Sequence, residues 1–248
     1  MGVLLRSPQL CDRSVTVALD QTVLHYPTSD GEPVAETFVH LYALLVTLEV
    51  LRQYLEGRRA TVLANQFLYY SEGLPRLRCA PDVMVIFDVE PGGRDSYKIW
   101  EEGQVPAVIF EMTSLGTQGH DQVFKKTLYE QLGVQEYWLF DPKGEWLPHQ
   151  LEGYRLKRDL YQPITDGRSE TLGLRLAVEG ALIGFYREDT GERLLIPGEL
   201  AEALRREALA RQQAEQRAEQ ERQRADEAEA RLEALEVKLR DRGIDLES

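Results

Sequence analysis

Hydrophobic positions come in short, closely spaced runs through the first 198 residues and then thin into a charged, alanine-rich tail. The first run lies in SDGEPVAETFVHLYALLVTLEVLRQYL, behind turn and capping residues. Its apolar positions Phe38, Leu41, Leu45, Leu48 and Leu55 recur at helical spacing, which predicts a helix over about 34–56. EGRRATVLANQFLYY turns at Gly57 and enters a strand rich in β-forming residues. PDVMVIFDV and PAVIFEMTS are two further strands, entered through Pro81 and Pro106, and EPGGRDSYKIWEEGQ between them reads as a surface connection. GHDQVFKKTLYEQLG predicts a short helix ended by Gly133. EYWLFDP is a fourth strand stopped at Asp141-Pro142, and GYRLKRDLYQPI and LAVEGALIGFYRE form a later meander. Helix, two or three strands, helix, strand is the order of an α/β fold with a small mixed sheet and a helical layer on each side.

The tail changes this picture. From Glu199 to Ser248 there is no proline and no aromatic residue, and the single glycine is Gly243. Such a stretch favours helix at nearly every position. A heptad seam read from Leu204 passes through Glu207 and Arg211, then several alanines, and ends on Leu232, Leu235 and Leu239. Only the last two heptads look like a coiled coil; a solitary charged helix is the other reading. The chain therefore divides into a folded body, 1–198, and a helical extension, 199–248.

Composition narrows the class. With 248 residues, 43% of them hydrophobic, the chain has material for a real core. Cys11 and Cys79 are far apart and form no metal-knuckle spacing, which suits a reducing compartment. No stretch is apolar enough to span a membrane, and no leader peptide is legible, so a cytoplasmic protein is expected. The net charge of −13 excludes a general nucleic-acid coat protein, which draws its affinity from many phosphate contacts. The tail carries 14 acidic and 10 basic residues, so the body holds most of that charge. A nuclease is still compatible, because an acidic metal site and a local basic track coexist on acidic chains.

The chemistry enters at VIFEMTS, residues 108–114. Val108, Phe110 and Met112 share one strand face; Ile109, Glu111 and Thr113 share the other. A carboxylate on a covered strand needs a partner. If the strands of Asp82 and Glu111 are neighbours, the two carboxylates approach one point at the sheet's edge, where they repel unless a divalent cation lies between them. Mg²⁺ takes one or two carboxylates and keeps several waters. An ion pair of Glu111 with Lys125 or an arginine is the plainer reading, and the two are compatible. Lys125 is four residues after Asp121 and four before Tyr129, so these three share a helix face. His40 stands one turn after Glu36, as a ligand, a substrate contact or a packed histidine.

The ordered set "APDVMVIF … VIFEMTSLGTQGHDQVFKKTLYEQLGVQEYWLFDP", with "YPTSDGEPVAETFVHLYALL" before it, resembles the Uma-two family of restriction endonucleases, a domain of unknown function in the PD-(D/E)xK nuclease superfamily. The resemblance covers roughly residues 20–190. It implies a restriction-endonuclease-like core sheet flanked by helices and a metal held by Asp82 and Glu111. Glu36 matches an acidic position that joins the metal site. Thr113 stands where the E-x-K lysine is expected; by position, Lys125 from the next helix replaces it.

The function so implied is metal-dependent hydrolysis of DNA phosphodiester bonds with Mg²⁺, or Mn²⁺ in its place, leaving a 5′-phosphate. No small-molecule cofactor is expected, and a homodimer is. The rival reading is a catalytically weak nuclease-fold module that binds nucleic acid or a protein, with the tail mediating assembly. The basic clusters Arg58 and Arg59, Arg76 and Arg78, and Arg155, Lys157 and Arg158 read as solvated loops or phosphate contacts.

Overall fold

The computed structural model describes residues 24–31, 36–113 and 120–241. In chain order the elements are α1 (Phe38–Tyr54), β1 (Ala60–Ala64), β2 (Leu68–Tyr69), β3 (Arg78–Cys79), β4 (Val83–Phe87), β5 (Tyr97–Lys98), α2 (Ile99–Glu102), β6 (Val108–Met112), α3 (His120–Leu132), β7 (Glu136–Phe140), β8 (Leu151–Lys157), β9 (Leu160–Ile164), β10 (Arg168–Ser169), β11 (Leu174–Glu179), β12 (Leu182–Arg187) and α4 (Pro197–Asp241).

The fold is mixed α/β. Six strands form the central sheet in the order β1-β4-β6-β7-β8-β9, with β6 and β7 parallel and the other neighbours antiparallel. The parallel step is the one made through α3, as a crossover requires. Strands β4, β6 and β7 are covered on both faces, which explains their continuous apolar runs. On one face Val108, Phe110 and Trp138 pack under α1 and the small β10-β11-β12 sheet. On the other face Met84, Ile109 and Tyr137 pack under Leu128 and Tyr129 of α3. No helix among the described residues is long and apolar enough to cross a membrane.

Three expectations change. The helix of α1 is present, but Phe38, Leu41 and Leu45 of the expected core stripe are exposed, whereas Ala43, Leu44, Val46, Val50 and Leu51 are buried. This helix is apolar on most of its circumference, so spacing did not single out the buried face. The strand expected in ATVLANQFLYY is two strands. Asn65, at φ 51°, breaks it, and its N–H bonds back to the carbonyls of Pro81 and Asp82. The connection before β6 is also more than surface: Tyr97 is fully buried, and β5 runs parallel to β2.

Gly153 of β8 sits opposite Trp138 of β7. A Cβ there would lie 2.4 Å from the indole ring, which is itself core. Gly153→Ala is therefore expected to lower stability by about 1–3 kcal/mol, read as a fall in thermal midpoint.

Candidate functional site

Strands β4 and β6 pair with Val83 opposite Phe110, so one further step of this register sets Asp82 opposite Glu111. The Asp82 carboxylate accepts a hydrogen bond from the Met112 N–H at 2.6 Å, which holds it against β6. The two carboxylates thus meet at the strand ends in the middle of the sheet, not on an edge strand.

Glu111 is only 5% exposed, and both of its oxygens are engaged. Tyr129 donates its hydroxyl to Oε1 at 2.7 Å, and the Lys125 ammonium donates to Oε2 at 2.9 Å. Lys125 and Tyr129 are one helical turn apart on α3, the helix that covers the Glu111 face. The side chain of Asp121, its companion in the sequence pattern, lies outside the described residues, as do His120's side chain and Cys11. His40 of α1 and Glu36, just ahead of the Thr37 N-cap, also approach: His40 Nε2 is 3.7 Å from Glu36 Oε2 and 3.9 Å from Asp82 Oδ2.

Burial, and then the neighbouring Glu111 carboxylate, push Asp82 well above the usual carboxylate range; Glu36 adds a smaller push in the same direction. Burial opposes the charge on Lys125, but Glu111 and Asp82 outweigh it and hold the ammonium above its ordinary value. Tyr129 is held well above the phenol range by burial and by Glu111, so it remains a donor. Cys79 lies in the same neighbourhood and was not foreseen as a site residue. Burial first, and then Glu111, push its thiol up to about 12, which leaves it protonated and unreactive.

Among the described residues no group of three or more His, Cys, Asp or Glu side chains is disposed to hold a metal ion. The Asp82–Glu111 pair nonetheless fits a hard dication, which needs only one or two carboxylates and completes its shell with water. Its oxygen donors are of the right kind, and the mutual repulsion evident at Asp82 is what a cation would relieve.

Burial of Asp82, together with that repulsion, has a measurable consequence. The Asp82 carboxyl titrates higher in the folded than in the unfolded chain, so wild-type stability falls as pH rises from the ordinary carboxylate range toward neutrality. Asp82→Asn keeps an acceptor for the Met112 N–H and removes the charge. In EDTA at neutral pH it is expected to unfold about 1–2 kcal/mol later than wild type, with the advantage vanishing in acid. Thermal melts at two pH values check this.

Thr113, at the position of the expected E-x-K lysine, is buried, and among the described residues its hydroxyl has no hydrogen-bond partner. Of the basic clusters, Arg155 is neither solvated nor free for phosphate, because it is paired with buried Glu136. Arg78 lies over the Phe67 ring. Neither partner was evident from local sequence.

Residues 13–183 match the family model described as "Uma2: Putative restriction endonuclease". The chain belongs to the Uma2 family. Asp82, Glu111, Lys125 and Tyr129 all fall within the matched segment, whereas α4 of this Uma2 protein lies beyond it. A comparison with curated proteins gives no match. Among solved structures, the Uma2 chain is similar to a "putative nuclease belonging to DUF820" from Anabaena variabilis ATCC 29413. The two are 17% identical with a TM-score of 0.39, over 56% of this chain and 73% of that one.

Proposed function

We propose that this Uma2 protein is a metal-dependent endonuclease that hydrolyses DNA phosphodiester bonds in the cytoplasm. Residues 1–198 carry the chemistry, and 199–248 join two copies into a homodimer. The observation that carries this reading is a buried glutamate bonded to a lysine from the next helix, with a second carboxylate beside it on the adjacent strand.

Asp82 and Glu111 are the residues that would hold Mg²⁺, or Mn²⁺ in its place, with Glu36 at the α1 side. When bound, the cation supplies positive charge to the phosphodiester and acidifies water. The protein's own groups do the rest. The Met112 N–H and the Tyr129 hydroxyl fix the two carboxylates, so neither must reorganise when DNA arrives. Lys125, kept protonated by the carboxylates around it, would donate to a phosphate oxygen or orient the attacking water. It thereby takes the part that Thr113 cannot. Hydrolysis in line would break the bond to the 3′ oxygen and leave a 5′-phosphate.

Incubation of supercoiled plasmid with wild-type protein in Mg²⁺, Mn²⁺ or EDTA, beside Lys125→Ala, tests this. Nicking in either metal and none in EDTA is expected, with Lys125→Ala slower by roughly 10²–10³-fold. Silence in every metal, on single-stranded and modified substrates as well, would turn the reading to a nuclease-fold binding module.

A further inference from the structure

Among the described residues, the helix α4 is tied to the body only at its start. Glu199 accepts the Ile196 N–H at 3.1 Å and the Arg193 guanidinium at 2.6 Å, and Arg193 also grips Glu179 of β11. Every described side chain from Ala201 to Asp241 is exposed. The helix has 45 residues and so extends roughly 67 Å. A helix of that length with no neighbour buries nothing that would hold it together.

Its two halves differ in how their charges are used. In the first, Arg206 pairs with Glu202, and Arg211 with Glu215 at 3.1 Å, along the helix itself. In the second, the apolar seam is Ala225, Ala228, Leu232, Leu235 and Leu239, with Leu232 and Leu235 more than half exposed. Arg224, Glu229, Arg231 and Glu236 flank that seam, and among the described residues they make no hydrogen bond or ion pair.

We infer that this segment forms a parallel, in-register coiled coil with a second copy of this chain. The arrangement of the flanking charges determines the orientation. Both arginines occupy the position before the first seam residue of a heptad, and both glutamates follow the second. In a parallel pair, Arg224 faces Glu229 of the partner subunit and Arg231 faces Glu236 of the partner subunit. In an antiparallel pair the arginines would meet arginines and the glutamates glutamates. Further up, Arg217 would face Arg222 of the partner subunit, and Glu221 occupies the seam, so the coil opens there. The two bodies are then carried at the same end of the coil, each on an arm of roughly 40 Å. This deepens the homodimer part of the proposed function and is independent of the cleavage chemistry.

Sedimentation of the full chain across micromolar concentrations tests it, beside Arg231→Glu and Arg231→Glu/Glu236→Arg. A monomer–dimer equilibrium is expected, weakened at least about tenfold by the single change and restored by the double one. Leu232→Cys should form a disulfide between copies under oxidation, located by peptide mapping so that Cys11 and Cys79 are not mistaken for it. A monomer throughout would overturn both the coil and the homodimer. A dimer indifferent to Arg231→Glu, or one in which Leu232→Cys does not cross-link, would overturn the coil alone. It would move the contact to the body, where Phe38, Leu41, Tyr42 and Leu45 of α1 are exposed. Plasmid cleavage by the same variants reports separately on the nuclease reading.

Discussion

Glu111→Gln is expected to abolish metal-dependent DNA cleavage while leaving the fold intact. The substitution keeps the size of the side chain and an oxygen for the Tyr129 hydroxyl or the Lys125 ammonium, both of which bond Glu111 in the wild type. What it removes is the charge that a hard dication requires of its ligand. Two functions are lost together, because the same carboxylate would hold the cation and keep Lys125 charged. The loss should therefore exceed the roughly 10²–10³-fold expected for Lys125→Ala alone. Plasmid nicking in Mg²⁺ measures it, and circular dichroism shows whether the variant is folded. Equal cleavage by variant and wild type would place the active site elsewhere or reveal a contaminating nuclease.

The largest stability effect is expected at the opposite end of the sheet, at Glu136→Ala. Glu136 is fully buried at the start of β7, directly across from Arg155 of β8. Its carboxylate accepts the Arg155 guanidinium at 3.1 Å, the Thr171 N–H at 3.2 Å, the Trp138 indole N–H at 3.4 Å and the hydroxyl of buried Ser169. One side chain thus ties the central sheet to the β10 region. Removing it strands the buried Trp138 and Ser169 donors and leaves Arg155 with only the exposed Glu170 carboxylate and the Arg168 carbonyl. The cost approaches, as its upper bound, the roughly 3–5 kcal/mol typical of breaking a buried pair. Urea unfolding should show a lower midpoint with an unchanged slope. Glu136→Gln, which keeps an acceptor, should fall between. The site at Glu111 lies at the other end of the β6–β7 pairing, so cleavage at low temperature should survive in both variants. A change below about 1 kcal/mol would mean that the pair behaves like a solvated one.

The exposed row on α1 shows why the core was only partly legible beforehand. Periodicity identified a helix there, because helical spacing is a property of residues three and four apart. It could not choose between Phe38, Leu41 and Leu45 on one side and Leu44, Val50 and Leu51 on the other, since both are apolar. That choice is made by the underlying sheet and by β12, more than a hundred residues away in the chain.

The same division holds at the site and in the tail. Sequence alone determined that β6 carries a carboxylate on a covered face, that a lysine and a tyrosine share one face of the next helix, and that the last fifty residues favour helix. Each of these depends only on near neighbours. The tertiary structure decided that β4 lies beside β6, that Lys125 and Tyr129 are the groups satisfying Glu111, and that Arg155 is spent inside the protein on Glu136. A buried charge takes its partner from whatever the strand order brings within hydrogen-bond reach. Strand order is set by packing over the whole chain, so local pattern offered Lys125 as one candidate for Glu111 beside the arginines, and gave no sign of Glu136 as the partner of Arg155.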